Sequence, residues 1–445
     1  MATEIELTVE ERIFQLLRHL GLEQAHFAAR EFQEFDSLAR VHPEVISSLT
    51  LVCPPRTLNA DSLRPLAHRL LCFYGGKGPN AAIVRESMAR LPEAMRLCLQ
   101  DYLDFNWADV IADHTDFIGT AMLYFLSRMD QELELQAIAP PPSEGEVAGI
   151  CYRIQGSGPP LVLLPLVLAP SQWEPLYPRL SERYCTIVLG GAELGGVRQL
   201  EARGRSDGYR RVLERFLTEV ELKPGEMVLE VGCGSGVLTR FLAQRTRGAN
   251  PIAALDINRY FLREASVLAR KEGFAEAIEF REGSAEDLPF ADNTFDVSVS
   301  STVMEECDAG RMLGEMMRVT RPGGRVGVMV RAEDMTSFVN APMRAELKAK
   351  METPRGNVSE KGCADGSLYR RFHDAGLSAI KMFPQLASFS PDEPHGSRME
   401  AGIVAALSEV EAKEWRAATQ SADARELLFI AKPFHCAVGT KPPAK

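Results

Sequence analysis

The chain has 445 residues, of which 45% are hydrophobic and 25% charged, a balance that excludes a disordered or fibrous class and favours two units with separate cores. A formal net charge of −11 opposes general binding to nucleic-acid phosphates, which rests on clustered Lys and Arg. The longest apolar run, Leu161 to Ala169, is broken by Pro165 and falls far short of the roughly 20 residues a bilayer span needs.

No membrane span is therefore expected. The acidic start, Met1-Ala-Thr-Glu-Ile-Glu6, lacks the basic and then apolar pattern of an export signal. The nine cysteines include no Cys-x-x-Cys pair and no metal-ligand spacing. Together these features predict a cytoplasmic protein with reduced thiols, no bound metal, and a small-molecule partner rather than a nucleic acid.

In chain order, residues 1–135 read as mixed helix and strand. Ala139-Pro-Pro-Pro-Ser-Glu-Gly145 reads as a linker, because proline blocks helix continuation, and 145–200 follow as a second stretch. The third stretch, about 205–438, opens with a predicted helix Tyr209–Val220 and a Lys-Pro-Gly turn at 223–225. Strands are then predicted at Met227–Val231, Ile252–Leu255, Ile278–Arg281, Phe295–Ser300 and Arg325–Val330. The predicted helices are Val237–Arg245, Tyr260–Glu272 and Gly310–Thr320, with a Pro-Gly-Gly turn at 322–324. Short apolar strands alternating with helices imply an α/β fold whose mostly parallel sheet is covered on both faces. Ligands of such sheets sit beyond the carboxyl ends of the strands. The expected organisation is an α/β domain over 1–200 and a second over 205–438.

The loop Glu230-Val-Gly-Cys-Gly-Ser-Gly236 follows the first strand of that second domain. Its glycines let the backbone turn tightly and let a ligand approach the main chain. A nicotinamide site would show G-x-G-x-x-G facing a pyrophosphate. Here the spacing is G-x-G-x-G behind a carboxylate, which suits a ligand carrying an ammonium group and no phosphate. Asp256 ends the next strand, where it can accept hydrogen bonds from ribose hydroxyls or simply cap a turn. Gly283-Ser-Ala-Glu-Asp-Leu-Pro-Phe290 can present polar groups to an adenine edge, and the strand ending at Ser301 should lie near the reacting group.

Through these motifs residues 224–332 resemble the class I S-adenosylmethionine-dependent methyltransferases, especially the ubiquinone and menaquinone biosynthesis C-methyltransferases. The matching elements are Val228-Leu-Glu-Val-Gly-Cys-Gly-Ser-Gly236, Ala254-Leu-Asp-Ile257, the 283–290 segment, Phe295-Asp-Val297 and Arg321-Pro-Gly-Gly324. The resemblance implies a Rossmann-like domain that binds S-adenosylmethionine and methylates a small molecule. It makes Glu230, Gly232, Cys233, Gly234 and Gly236 the methionine-side loop, and places the ribose and its surroundings at Asp256 and Ile257. Ser284, Ala285 and Glu286 become the adenine side, with Ser301 completing the site. Many relatives have Asp where this chain has Ser284, so the adenine amino contact is expected either to be weaker or to be made by Glu286.

An acceptor of high pKa needs a base, and Glu305, Glu306 and His373 are the candidates. The two glutamates also read as solvated helix-start carboxylates, and His373 as part of a helix face. Arg331 reads either as an anchor for an anionic substrate group or as a surface ion pair, and His435 lies in an apolar strand or pocket wall.

The first two hundred residues resemble an α/β-hydrolase with its halves exchanged. Residues 22–55 look like its nucleophile strand, helix and next strand, Leu70–Gly78 a later strand, and Ala112–Leu126 its histidine loop and helix. The strands that open that fold, around Tyr152 and Tyr184, come last here. Ala29-Arg-Glu-Phe-Gln33 stands where a G-x-S-x-G elbow is required, which leaves His114 nothing to activate. A structural platform, able to pair two chains as a homodimer, is the expectation. Rival readings are a non-catalytic cofactor-binding scaffold or sensor and a bifunctional methyltransferase-hydrolase.

Overall fold

The computed structural model describes residues 7–30, 36–54, 58–77, 81–103, 110–140, 143–166, 170–353, 358–390, 393, 395–396, 403, 407–425 and 427–443. The chain divides into two compact units, Met1–Gln199 and Leu200–Lys445. Among the described residues no helix is long and apolar enough to cross a membrane.

In the first unit, strands β1 (Ala25–Ala29), β2 (Ile46–Val52), β3 (Leu70–Lys77), β4 (Met95–Leu103), β5 (Ser143–Val147), β6 (Ile150–Gln155), β7 (Pro160–Leu163) and β8 (Cys185–Gly190) form one sheet. Their spatial order is β4-β3-β2-β1-β7-β8-β6-β5, parallel throughout except that β6 runs antiparallel to both its neighbours. β1, β2 and β8 are buried along their whole length, which is why their sequences show no polar alternation. His26 is tolerated in that core because both ring nitrogens have partners, Nδ1 with Ser48 Oγ at 2.7 Å and Nε2 with Asp130 Oδ1 at 2.9 Å. β5 starts at Ser143, so the expected linker is partly strand, and Pro141 and Pro142 lie outside the described residues. Residues 167–169 of the apolar run, Gly78, and 31–33 at the elbow position also lie outside them.

The second unit holds β9 (Val228–Val231), β10 (Ile252–Asp256), β11 (Ile278–Glu282), β12 (Phe295–Ser301), β13 (Thr320–Arg331), β14 (Phe338–Val339), β15 (Ser378–Phe389) and β16 (Ile430–Thr440). The order is β11-β10-β9-β12-β13-β16-β14, with β15 also paired to β16. β9 to β13 are parallel and β16 is antiparallel to β13, a Rossmann-like sheet of the kind the alternating pattern predicts. The helices Val237–Arg245, Arg259–Lys271 and Ala309–Val319 fall within one residue of their predicted spans. β13 differs: it begins at Thr320 rather than Arg325. Thr320 pairs with Phe295 across a bulge, and the Gly323 N–H donates to Lys441 O at 2.8 Å, so the Pro-Gly-Gly turn is drawn into the strand. Gly323 takes φ +80° to allow this.

Helix Asp207–Val220 covers one face of this sheet through Val212, Leu213, Phe216 and Leu217, all buried. Phe216 packs on Gly327 so closely that a Cβ there would meet its ring at 3.0 Å. Phe216→Ala leaves a cavity that the rigid sheet cannot close, and a loss of about 3–5 kcal/mol is expected. Urea denaturation followed by tryptophan fluorescence should show a lower midpoint for the variant.

Candidate functional site

β9 lies between β10 and β12, so the chain winds away from β9 in both directions and opens a crevice at its carboxyl end. The glycine loop emerges there. Gly232 and Cys233 both donate backbone N–H groups to Leu255 O, at 2.7 and 2.9 Å, which ties the loop to the neighbouring strand. Gly232 and Gly234 have φ of +73° and +54°. Added Cβ atoms would lie 2.3 Å from Val303 Cγ2 and 2.8 Å from Leu200 Cδ1 respectively. Conformation and space therefore both require glycine, and the bare backbone is a cradle a ligand can approach. Gly236 continues the loop into the helix Val237–Arg245.

Two carboxylates flank this cradle. Glu230 is 2% exposed, and Thr239 Oγ1 donates to its Oε2. Burial pushes its carboxyl up to about 8; the Asp256 charge adds to this and the Thr239 bond opposes it. Asp256, at the end of β10, accepts from Gly234 N–H at 2.7 Å and Asn258 N–H at 2.8 Å, one on each oxygen. Burial raises its carboxyl too, against those bonds. A carboxylate has about four lone-pair positions, so capacity remains for two hydroxyl donors. Ile257 beside it is 72% exposed, an apolar surface at the edge of the crevice. Cys233 is buried, with its thiol raised well above the ordinary value by burial. A nearly closed pair of acids beside a donor-rich loop fits a ligand with ammonium and diol groups, the chemistry of S-adenosylmethionine.

The segment after β11 is differently committed. Ser284 Oγ accepts from Glu286 N–H at 3.1 Å and closes a turn bridged to Asp287. Ala285 packs at the fringe of an apolar cluster. Glu286 accepts from Asp308 N–H at 2.9 Å and pairs with Arg311 at 3.2 Å. Its carboxylate thus anchors the start of helix Ala309–Val319.

At the end of β12, Ser301 Oγ lies 2.9 Å from Tyr209 Oη. Thr302 then takes φ +56°, rare for a β-branched residue, held by its N–H to Met329 O at 2.7 Å. This bend separates two adjacent glutamates that the sequence treats alike. Glu305 is fully buried; Oε1 accepts from Arg331 N–H at 2.7 Å, and Oε2 has no hydrogen-bond partner among the described residues. Burial raises its carboxyl, opposed by Arg331. Glu306 reaches Arg331 Nη2 at 3.4 Å with its side chain 32% exposed, and loss of solvation pushes it up to about 7. Arg331 is thus bound to both glutamates rather than paired at an open surface.

His373 is not brought to this edge. It is exposed on helix Ser367–Asp374, beside Asp374 at 3.3 Å. The adjacent Phe372 packs on Gly439, which pairs with Val326 midway along β13, whereas Glu305 contacts Arg331 at the carboxyl end of that strand. His435 is buried in β16, its Nε2 2.7 Å from Asp334 Oδ1. Sequence reasoning passed over Glu201, Arg203, Tyr209 and Thr302, because helical charges and an ordinary threonine carry no motif.

Over residues 229–328 the chain matches the family model described as a methyltransferase domain. Ubiquinone/menaquinone biosynthesis C-methyltransferase UbiE of Klebsiella pneumoniae is 30% identical over 218 residues, 45% of this chain and 80% of that protein. Demethylmenaquinone methyltransferase of Lactobacillus johnsonii is 30% identical over 146 residues, 33% of this chain and 59% of that protein. Sterol 24-C-methyltransferase ERG6B of Gibberella zeae is 38% identical over 171 residues, 38% of this chain and 42% of that protein. The chain therefore spans less than two thirds of the length of the last two.

Glu230 makes the unliganded protein pH-sensitive in a defined direction. Its folded value of about 8 exceeds the ordinary 4.5, so the folded state holds a proton that the unfolded state has lost between those limits. Stability is expected to fall as pH rises from 5 to 8, and Glu230→Gln should make the slope shallower. Thermal midpoints of both proteins across that range test this; equal slopes would remove Glu230 from the account.

Proposed function

The chain belongs to the class I S-adenosylmethionine-dependent methyltransferases, and on that premise we propose that it transfers the methyl group of S-adenosylmethionine to a small-molecule acceptor. The observation that carries this reading is the pair of buried carboxylates, Glu230 and Asp256, on either side of a loop in which Gly232 and Gly234 leave no room for a Cβ. Glu230 favours the ammonium group, Asp256 receives the ribose hydroxyls, and Gly232, Cys233, Gly234 and Gly236 supply backbone. Ile257, Ser284 and Ala285 border the adenine, and Ser301 closes the reacting end. When bound, S-adenosylmethionine supplies an electrophilic methyl carbon on a sulfonium group.

The chain's own work is then alignment and proton removal. Glu306 is the base: it is the accessible member of its pair, and a value of about 7 lets it accept a proton at neutral pH. Arg331, locked by the buried Glu305, orients that carboxylate. The acceptor is a nucleophile that must lose a proton, and relatives named for quinone and sterol methylation support a carbon acceptor.

The first unit, residues 1–200, is the platform. Taken with β5 to β8 ahead of β1 to β4, its sheet runs first, second, fourth, third and then fifth to eighth, with the second strand antiparallel, which supports a permuted hydrolase-like scaffold. His114 precedes helix Thr115–Leu133 and meets Tyr102 edge to face, with ring centroids 4.7 Å apart, a structural use of the ring. We read this unit as non-catalytic, able to bind substrate or pair two chains. Nine cysteines, none of them in a disulfide among the described residues, suit a reducing cytoplasm, and the net charge of −11 disfavours nucleic acid.

Titration calorimetry with S-adenosylmethionine and S-adenosylhomocysteine should give binding that Asp256→Ala weakens at least about tenfold, the scale of a charge-assisted hydrogen bond. Absence of heat with both compounds would overturn the reading. Glu306→Gln should leave that binding intact while lowering turnover and removing an ionisation near 7 from its pH profile.

A further inference from the structure

The first unit carries a cavity of about 550 Å³ bounded by helix Thr115–Leu133 and by the segment 179–183 that precedes β8. That volume lies within the roughly 300–1,000 Å³ of small-molecule sites. Three of the side chains lining it are arginines, Arg128 from the helix and Arg179 and Arg183 from the facing segment, against one carboxylate, Glu182. In a chain with 61 acidic and 50 basic residues this wall reverses the prevailing sign.

The three guanidinium groups are held in place without being neutralised. Gly119 lets Arg179 lie across the helix, since a Cβ there would meet Arg179 Nη1 at 3.2 Å and Leu176 Cδ2 at 2.8 Å. Glycine is otherwise unfavourable inside a helix, so the close approach of Arg179 and Leu176 is what the position serves. Arg179 Nη2 donates to Thr120 Oγ1 at 2.8 Å, while its ion pair with the fully exposed Asp116 is stretched to 3.9 Å. Arg128 meets Glu132 at 3.4 Å, an exposed pair on one helix that water largely screens. Arg183 is fixed through its backbone, its N–H donating to Leu180 O at 3.1 Å, and its guanidinium has no ion-pair partner among the described residues. The acid next to this wall, Asp130, is engaged elsewhere: Tyr184 Oη donates to its Oδ2 at 2.7 Å, and His26 Nε2 lies 2.9 Å from its Oδ1. Tyr124 also lines the cavity and is 63% exposed, which leaves an aromatic face open beside the arginines.

We propose that this cavity is a second binding site, for a small molecule that joins a diphosphate group to a planar ring, the class of the nucleoside diphosphates. A guanidinium fork pairs with two phosphate oxygens at once, and three forks match a multiply charged diphosphate better than a single carboxylate. The ring stacks on Tyr124, and Ser127 and Gln131 on the same wall supply hydroxyl and amide groups for its polar edge. The site lies within the first unit, so the proposal does not depend on the cofactor reading, and it gives the platform a ligand of its own.

The test is calorimetry on the full chain with uridine 5′-diphosphate, pyrophosphate and uridine. Uridine 5′-diphosphate should bind, pyrophosphate more weakly, and uridine not measurably. Arg183→Gln should weaken uridine 5′-diphosphate and pyrophosphate about tenfold or more, the range of one charge-assisted pair, and Arg183→Lys should recover part of the loss. Tyr124→Ala should weaken uridine 5′-diphosphate about five- to tenfold and leave pyrophosphate unchanged. Both positions are exposed, so the variants retain the fold. The proposal is overturned by absence of heat with uridine 5′-diphosphate, by binding that either Arg183→Gln or Tyr124→Ala leaves unchanged, or by displacement of uridine 5′-diphosphate with S-adenosylhomocysteine. An equal loss in Arg64→Gln, an exposed arginine that does not line the cavity, would likewise reduce the binding to general charge attraction and overturn it.

Discussion

Burying a carboxylate costs solvation that must be returned by donors or cations, and the second unit buries several at one edge of its sheet, among them Glu230, Asp256 and Glu305. Their compensation is unequal. Glu305 has an arginine, Asp256 has two backbone N–H groups, and Glu230 has one hydroxyl. The edge therefore holds more buried acid than its own donors satisfy, and the raised carboxyls of all three express that imbalance. A ligand with a fixed positive charge and several hydroxyl donors relieves it. The glycine cradle, the exposed Ile257 and the strained Thr302 all lie around this one electrostatic constraint.

Much of this half was legible in the residues. The loop after β9 could be placed because only a G-x-G-x-G turn satisfies both the positive φ values and the approach of Val303 and Leu200. Helix Val237–Arg245 was placed to the residue because Gly236 precedes it and its apolar positions recur at helical spacing. The start of β13 was misread, since Pro-Gly-Gly marks a turn by local chemistry and only the distant Lys441 draws it into a strand. The partners of Glu286 were not legible for a similar reason: Asp308 and Arg311 lie more than twenty positions on and no local pattern announces them. His373, a candidate base in the sequence, lies at the far end of its helix: Gly366 N–H meets Asp334 just beyond the carboxyl end of β13, and the helix then runs back along the sheet to Phe372 on Gly439.

The first unit illustrates the converse. Its strands were recognisable one by one from buried apolar runs, yet their neighbours are set by non-local pairing, in which β1 joins β7 from more than a hundred residues away. If its order reflects a permuted hydrolase-like sheet, as we propose, the fold has been kept while the chemistry has gone. Fold and reaction separate readily in this way, because a sheet is held by its core and a reaction by a few edge residues. His26, with both nitrogens engaged in the interior, and His114, edge to face with Tyr102, show histidines serving structure in such a unit.

The division between Glu305 and Glu306 turns on a single backbone angle. Adjacent residues after a regular strand would point to opposite faces and meet different surroundings by simple alternation. Here the left-handed Thr302 ends that alternation early, and the chain bends so that Glu305 turns inward onto the Arg331 N–H while Glu306 stays at the rim. A strained bend persists only where packing over-determines it, and the Thr302 N–H bond to Met329, the Val303 contact with Gly232 and the buried Glu305 do so together. Each of those contacts also shapes the crevice, so relaxing the bend would disturb the glycine cradle and the carboxylate pair at once. The strain at Thr302 therefore belongs to the site itself.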